Sequence, residues 1–137
     1  MEIVEIITMV YLFLFSIYHV ITGIVSIFFP EFSLKFYKVL YGFNPRETKQ
    51  LVMTFKPWGN LALAVGFIGF MILFNLDQFY FLLLPLTLLL VIRVWYRSAY
   101  GEEIKKEWGI SSGQNWRMIF IQILGIIIYL SYIVLKI

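Results

Sequence analysis

Four stretches of this chain, about Ile3–Phe29, Phe55–Phe74, Phe79–Tyr96 and Trp116–Leu135, are each apolar over close to the roughly 20 residues that a helix needs to cross a bilayer. In hydrocarbon every backbone N–H and C=O must be satisfied inside the protein, and stretches this long do so as helices. Hydrophobic residues make up 61% of the 137-residue chain and charged residues 14%, against about 25% charged in a soluble domain. A soluble core of this size could not hide so much apolar surface. The expected fold class is therefore all-α. It is an integral membrane four-helix transmembrane bundle, one membrane domain over residues 1–137, with a short interfacial amphipathic helix between spans one and two.

Charge sets the expected orientation. Of the eleven Lys and Arg residues, ten fall on the side that holds the connections between spans one and two and between spans three and four: Lys35, Lys38, Arg46, Lys49, Lys56, Arg93, Arg97, Lys105, Lys106 and Arg117. The other side holds Lys136. Positive charge is retained on the cytoplasmic side. The expectation is a cell-membrane protein with cytoplasmic basic connections and extracytoplasmic N- and C-termini. Trp58, Trp95, Trp108 and Trp116 gather near the basic face, as an interfacial belt does. The net charge of +3 is interleaved with Glu31, Glu47, Glu102, Glu103 and Glu107. That pattern suits lipid headgroups and predicts no nucleic-acid partner. The opening Met1-Glu2-Ile3-Val4-Glu5 is acidic where a leader is basic, so the first apolar run is expected to be a permanent span.

Local signals divide the connections. Pro30 stops span one. In the segment that follows, Phe32, Phe36, Val39 and Leu40 share a helical face that excludes Lys35 and Lys38, the pattern of a helix lying in the interface. Gly42 is a C-terminal stop. Asn44-Pro45-Arg46-Glu47 carries the cap, first-turn proline and third-position acid of a helix start. That helix leads into span two, with Pro57 expected to kink it. Asp77 is placed to cap span three. Gly101 to Trp108 reads as a surface helix ended by Gly109, and Ser111 with Gln114 has capping-box spacing before span four.

Helices associate in lipid through small residues that allow close approach. Span two carries Gly59, Ala62, Gly66 and Gly69 as one stripe; span one carries Ser16, His19, Gly23 and Ser26; span four carries Gln122, Gly125, Tyr129 and Tyr132. These sides are expected to face the bundle, with Gly23, Gly59, Ala62, Gly66, Gly69 and Gly125 as packing positions. At 1.5 Å per residue, His19 lies roughly 24 Å into span one and Arg93 roughly 21 Å into span three. Ser16, His19, Asn60, Arg93 and Gln122 thus share one stratum in the cytoplasmic half. The candidate ligand pocket is His19, Asn60, Arg93, Tyr96 and Gln122.

A charge at membrane depth costs about 2.5 kcal/mol or more and marks function by default. A snorkelling Arg93 or a structural pair satisfies the same position, and a lone His19 serves equally as a hydrogen-bonded packing residue. No catalytic residue, metal ligand set or cofactor is expected. There is no cysteine, phosphate loop, nucleophile elbow, His-Glu-x-x-His motif or paired intramembrane carboxylate.

Two resemblances add to this reading. Gly23 to Pro30, the stretch Tyr41-Gly42-Phe43-Asn44-Pro45, the basic opening of a Gly-rich second span (Lys56 to Gly69) and Arg93 near the end of span three resemble the DoxX-like four-helix membrane proteins. That resemblance implies a four-helix bundle and no settled activity. Arg93-Val94-Trp95-Tyr96-Arg97-Ser98-Ala99-Tyr100 is similar to the Arg-and-Tyr segment of the membrane-associated eicosanoid and glutathione enzymes. It implies a trimer binding glutathione between subunits, with Arg93, Tyr96 and Tyr100 as contacts. The Asn-x-x-Glu segment of that family has no counterpart, since Leu61, Ala62 and Leu63 follow Asn60.

The function expected first is a non-catalytic accessory or structural subunit of a larger membrane complex. Its partners are membrane lipids and other membrane subunits or further copies of itself. The alternatives are a lipophilic-ligand-binding protein or membrane enzyme using the pocket above, and a transporter or channel built by oligomerisation.

Overall fold

A computed structural model describes residues 3–45 and 48–137. In chain order the helices are α1 (Ile3–Phe28), α2 (Pro30–Tyr41), α3 (Lys49–Phe74), α4 (Leu76–Phe79), α5 (Leu83–Ala99), α6 (Gly101–Trp108) and α7 (Ser112–Lys136). A single 3-10 turn, Tyr80–Leu82, joins α4 to α5. Four segments are long and apolar enough to cross a membrane: Ile3–Phe28, Lys49–Phe74, Leu76–Ala99 and Ser112–Lys136. The chain is an all-α, multi-pass membrane protein. At 26 residues, α1 is about 39 Å long, more than the roughly 30 Å hydrocarbon thickness, a difference that tilt accommodates.

The bundle is built from two helix pairs. α1 packs along α3, α5 packs along α7, and α1 touches α7 between the pairs. The α1–α3 seam is made by missing side chains. A Cβ on Gly23 would lie 2.8 Å from the Leu63 amide nitrogen, and one on Gly59 would lie 2.8 Å from the Gly23 carbonyl oxygen. Ser16 fills the space against Gly69. In lipid the apolar effect gives helices little reason to associate, so backbone-to-backbone approach of this kind holds the pair. On the other side of the bundle, the Tyr11 ring lies on Gly125 and its hydroxyl donates to the Ile121 carbonyl at 3.1 Å, joining α1 to α7.

Polar side chains within the spans are largely satisfied locally. The Thr8, Ser16, Thr22 and Thr87 hydroxyls donate to carbonyls three or four residues earlier in their own helices. This is why span one carries Thr8, Ser16 and Thr22 on a buried face without leaving donors in hydrocarbon; the fourth serine or threonine of that face, Ser26, pairs with Tyr37 of α2.

The connections differ from expectation in three places. Helix α3 begins at Lys49, capped by the Thr48 hydroxyl, which accepts from the Leu51 amide. Asn44 and Pro45 precede it in non-helical chain, and Arg46 and Glu47 of the expected start lie outside the described residues. A threonine hydroxyl next to the helix takes the cap role that sequence spacing gave to Asn44. As expected, helix α3 runs through Pro57 into span two, and the missing N–H of Pro57 frees a carbonyl at the basic end of the helix. Span three opens irregularly: Pro85 has no N–H for the Phe81 carbonyl, and the Leu83 amide bonds the Phe81 and Tyr80 carbonyls in a tighter turn. Asp77 caps nothing. Its carboxylate instead accepts from Tyr132 Oη at 3.2 Å and from Lys136, so α4 is tied to the end of α7.

Elsewhere the local signals correspond to structure. Gly42 and Gly109 are left-handed, with φ of 69° and 68°. Ser111 and Gln114 form a complete capping box. Helix α2 uses two faces. Ser33 and Tyr37 are buried against the bundle, with Tyr37 bonded to Ser26 at 3.1 Å and stacked on Phe55, while Phe32 and Val39 face outward with Lys35 and Lys38.

Candidate functional site

The site begins with the spacing Phe15-x-x-x-His19 on α1. One turn apart, the two rings stack with centroids 4.1 Å apart, and His19 Nδ1 lies 2.7 Å from the Phe15 carbonyl oxygen. A carbonyl accepts only, so Nδ1 carries the proton and donates. Nε2 is then a lone pair, and it lies 3.2 Å from an Arg93 guanidinium nitrogen on α5. The imidazole is thus neutral and uses both nitrogens, one within its own helix and one across the bundle. His19 is 3% exposed. Arg93 is half-buried and uses one of its five donors on His19.

One turn further along α5 is a second cross-bundle pair. Arg97 donates to Asn115 Oδ1 at 2.9 Å, and Asn115 Nδ2 donates back to the Arg97 carbonyl at 3.0 Å, joining α5 to α7. Among the described residues neither Arg93 nor Arg97 has a carboxylate within ion-pair distance; the ion pairs there are Lys106–Glu107 and Lys136–Asp77. Two guanidiniums without carboxylates, one turn apart, make this end of the bundle interior electropositive.

The connections close over this end. Tyr41, the last residue of α2, stacks on Tyr37 and meets Tyr18 edge-on. The Asn44 amide donates to the Trp108 carbonyl at 2.9 Å, Phe43 stacks on Trp108, and Arg117 donates to the Leu40 carbonyl at 3.2 Å. Burial pushes the Tyr41 phenol up to about 12, against the downward pull of Arg93 and Arg97. The folded value lies above the ordinary 10.0, so the fold holds this proton more tightly than the unfolded chain does. That advantage is complete below pH 10 and is lost as pH rises through about 12. Alkaline difference titration against Tyr41→Phe is expected to find one phenol ionising near 12; an ordinary value would contradict this burial.

The five expected pocket residues separate into two groups. His19 and Arg93 meet, and Gln122 is buried on α7 in the stripe Asn115, Ile119, Gln122, Gly125, Tyr129 and Tyr132. Asn60 and Tyr96 do not join them. Asn60 is exposed, because it follows Gly59, which faces α1, and one residue turns the helix by about 100°. Tyr96 is 47% exposed and lies beside Tyr100, one residue round from the inward Arg97. The packing positions Gly23, Gly59, Ala62, Gly66, Gly69 and Gly125 are all buried.

Among the described residues, two buried side-chain groups have no hydrogen-bond partner: Gln122 Oε1 and the Tyr129 hydroxyl. Tyr129 is fully buried, edge-on to Tyr11 and Phe15. Sequence reasoning did not single out Asn115 or Tyr41 for this region. The signals were present: Asn115 opens the Asn115–Ile119–Gln122 stripe, and Tyr41 continues Ser33–Tyr37 at a spacing of four.

Comparison of the chain with protein-family models, curated proteins and solved structures returns no match.

Proposed function

We propose that this protein is a non-catalytic accessory or structural subunit of a larger membrane complex, held with its basic connections in the cytosol. The observation that carries the reading is how its embedded charges are used. Arg93 binds the neutral His19, and Arg97 exchanges two hydrogen bonds with Asn115. Both arginines thus join one helix to another, and two of the five pocket candidates, Asn60 and Tyr96, face outward. The outward face of α3 supports the same reading. It presents Leu61, Phe67, Met71 and Phe74 on a helix that packs mainly on α1.

A second reading is favoured by one observation. Gln122 Oε1 and the Tyr129 hydroxyl are buried without partners, which costs about 1–3 kcal/mol each unless a bound molecule satisfies them. That supports a lipophilic ligand with a polar head near His19, Arg93 and Gln122.

Extraction of the native protein in mild detergent, followed by mass spectrometry of everything retained, separates the two. The subunit reading expects larger polypeptides at fixed stoichiometry, and it fails if the chain emerges alone with a small molecule that Arg93→Ala releases.

A further inference from the structure

We propose that the groove between α6 and the start of α7 binds the headgroup of a zwitterionic phospholipid, with phosphoethanolamine as the preferred chemistry. The groove is open and measures about 440 Å³. Arg97, Asn115 and Ser112 line it together with Glu102, Glu103 and Trp116. Charges of both signs therefore face one space, yet they do not pair across it. Among the described residues, the ion pairs include none of Arg97, Glu102 and Glu103.

The reason is that Arg97 is anchored. Its guanidinium donates to Asn115 Oδ1, and Asn115 in turn donates to the Arg97 backbone carbonyl. The guanidinium is tied to α7 through Asn115, while Glu102 and Glu103, in the first turn of α6, line the same groove. A ligand that meets both needs an anion and a cation in one headgroup. Phosphoethanolamine has its phosphate and ammonium separated by two carbons. The phosphate meets Arg97 and the Ser112 hydroxyl, and the ammonium meets the two carboxylates with charge-assisted hydrogen bonds.

The location fits a lipid as the source. The groove lies on the basic side of the bundle, where Trp95 and Trp116 are 59% and 66% exposed, the level of the headgroup layer. Trp116 offers its ring to the glycerol and upper acyl region. The lining also predicts selectivity. Phosphocholine has no N–H to donate to Glu102 or Glu103. Phosphoglycerol carries no cation, and those carboxylates repel its charge.

The protein is reconstituted in nanodiscs of equimolar phosphatidylethanolamine, phosphatidylcholine and phosphatidylglycerol with matched acyl chains. The lipids retained on release are read by native mass spectrometry. Wild type is expected to retain phosphatidylethanolamine about fivefold over either competitor. Glu102 and Glu103 are exposed, so the double variant E102Q/E103Q keeps the fold, checked by its helical circular dichroism. It is expected to lose that preference and to gain phosphatidylglycerol. Equal retention of the three lipids by wild type, a wild-type preference for phosphatidylglycerol, or an unchanged preference in E102Q/E103Q would overturn the proposal.

Discussion

Gly23→Leu and Gly66→Val are expected to split α1 from α3 and to cost about 3 kcal/mol or more each. The reason is what the new side chains would meet. A Cβ on Gly23 approaches the Leu63 amide nitrogen and the Gly59 carbonyl oxygen at 2.8 and 2.9 Å; one on Gly66 approaches the Val20 nitrogen and the Ser16 oxygen at 2.9 and 3.0 Å. These are backbone atoms, so no rotamer change relieves the clash and the helices themselves must move. Separation removes the close packing that holds two apolar helices together in a solvent as apolar as they are. Gly113→Ala serves as the control, since nothing lies within 4 Å of its added methyl group. Thermal unfolding in detergent, followed by the fraction still monodisperse, is the measurement. Gly23→Leu melting with wild type would mean that the α1–α3 seam is not where the bundle is held.

The second large effect concerns the Arg93–His19 pair. His19→Leu removes the acceptor of a guanidinium whose hydrogen bond among the described residues is to that ring. Arg93→Leu removes the donor facing Nε2 and leaves a buried lone pair. Each single variant is expected to lose about 2 kcal/mol of stability. The double variant replaces both partners by apolar groups, so it should lose less than the sum, with a coupling of about 1 kcal/mol. A double-mutant cycle of unfolding free energies in mixed micelles checks this. Strictly additive losses would show that the two residues act independently and that Arg93 is held by something else.

Depth was legible in the sequence, and rotation was legible only in part. Counting 1.5 Å per residue along two parallel spans puts His19 and Arg93 in one stratum, and their side chains meet at 3.2 Å. The small residues of α1 and α3 define a face because glycine there is required by a neighbouring backbone, so their periodicity carries the packing directly. Asn60 and Tyr96 have no such constraint. Each is polar at the correct height, yet each lies one residue from the inward position, with Gly59 and Arg97 taking the inward directions. A polar residue one turn from the headgroups can face outward at little cost, so polarity alone does not fix its direction there. Caps show the same division. Ser111 with Gln114 is a reciprocal pair and was readable, whereas the cap, proline and acid spacing at Asn44 pointed to a start four residues before the Thr48 cap that the helix uses.

Asp77 illustrates how a connection gains a second role from tertiary contact. Read alone it is a helix-capping acid, but the last turn of α7 brings Tyr132 and Lys136 to it. Lys136, the one Lys or Arg of that side in the sequence, is thereby paired, and the other ten lie toward the opposite end. The hydrogen bonds between the connections there, Asn44 to Trp108 and Arg117 to Leu40, tie the two basic segments into one surface.

That surface is the basis of the whole account, and the chain is well suited to a direct test because it contains no cysteine. Single cysteines at Gln78 and at Lys105, both exposed, report the two sides of the membrane. With intact cells and a membrane-impermeant maleimide, Gln78→Cys is expected to label at once and Lys105→Cys only after permeabilisation. Labelling of Lys105→Cys from outside intact cells, with Gln78→Cys protected, would contradict the orientation on which the proposed role rests.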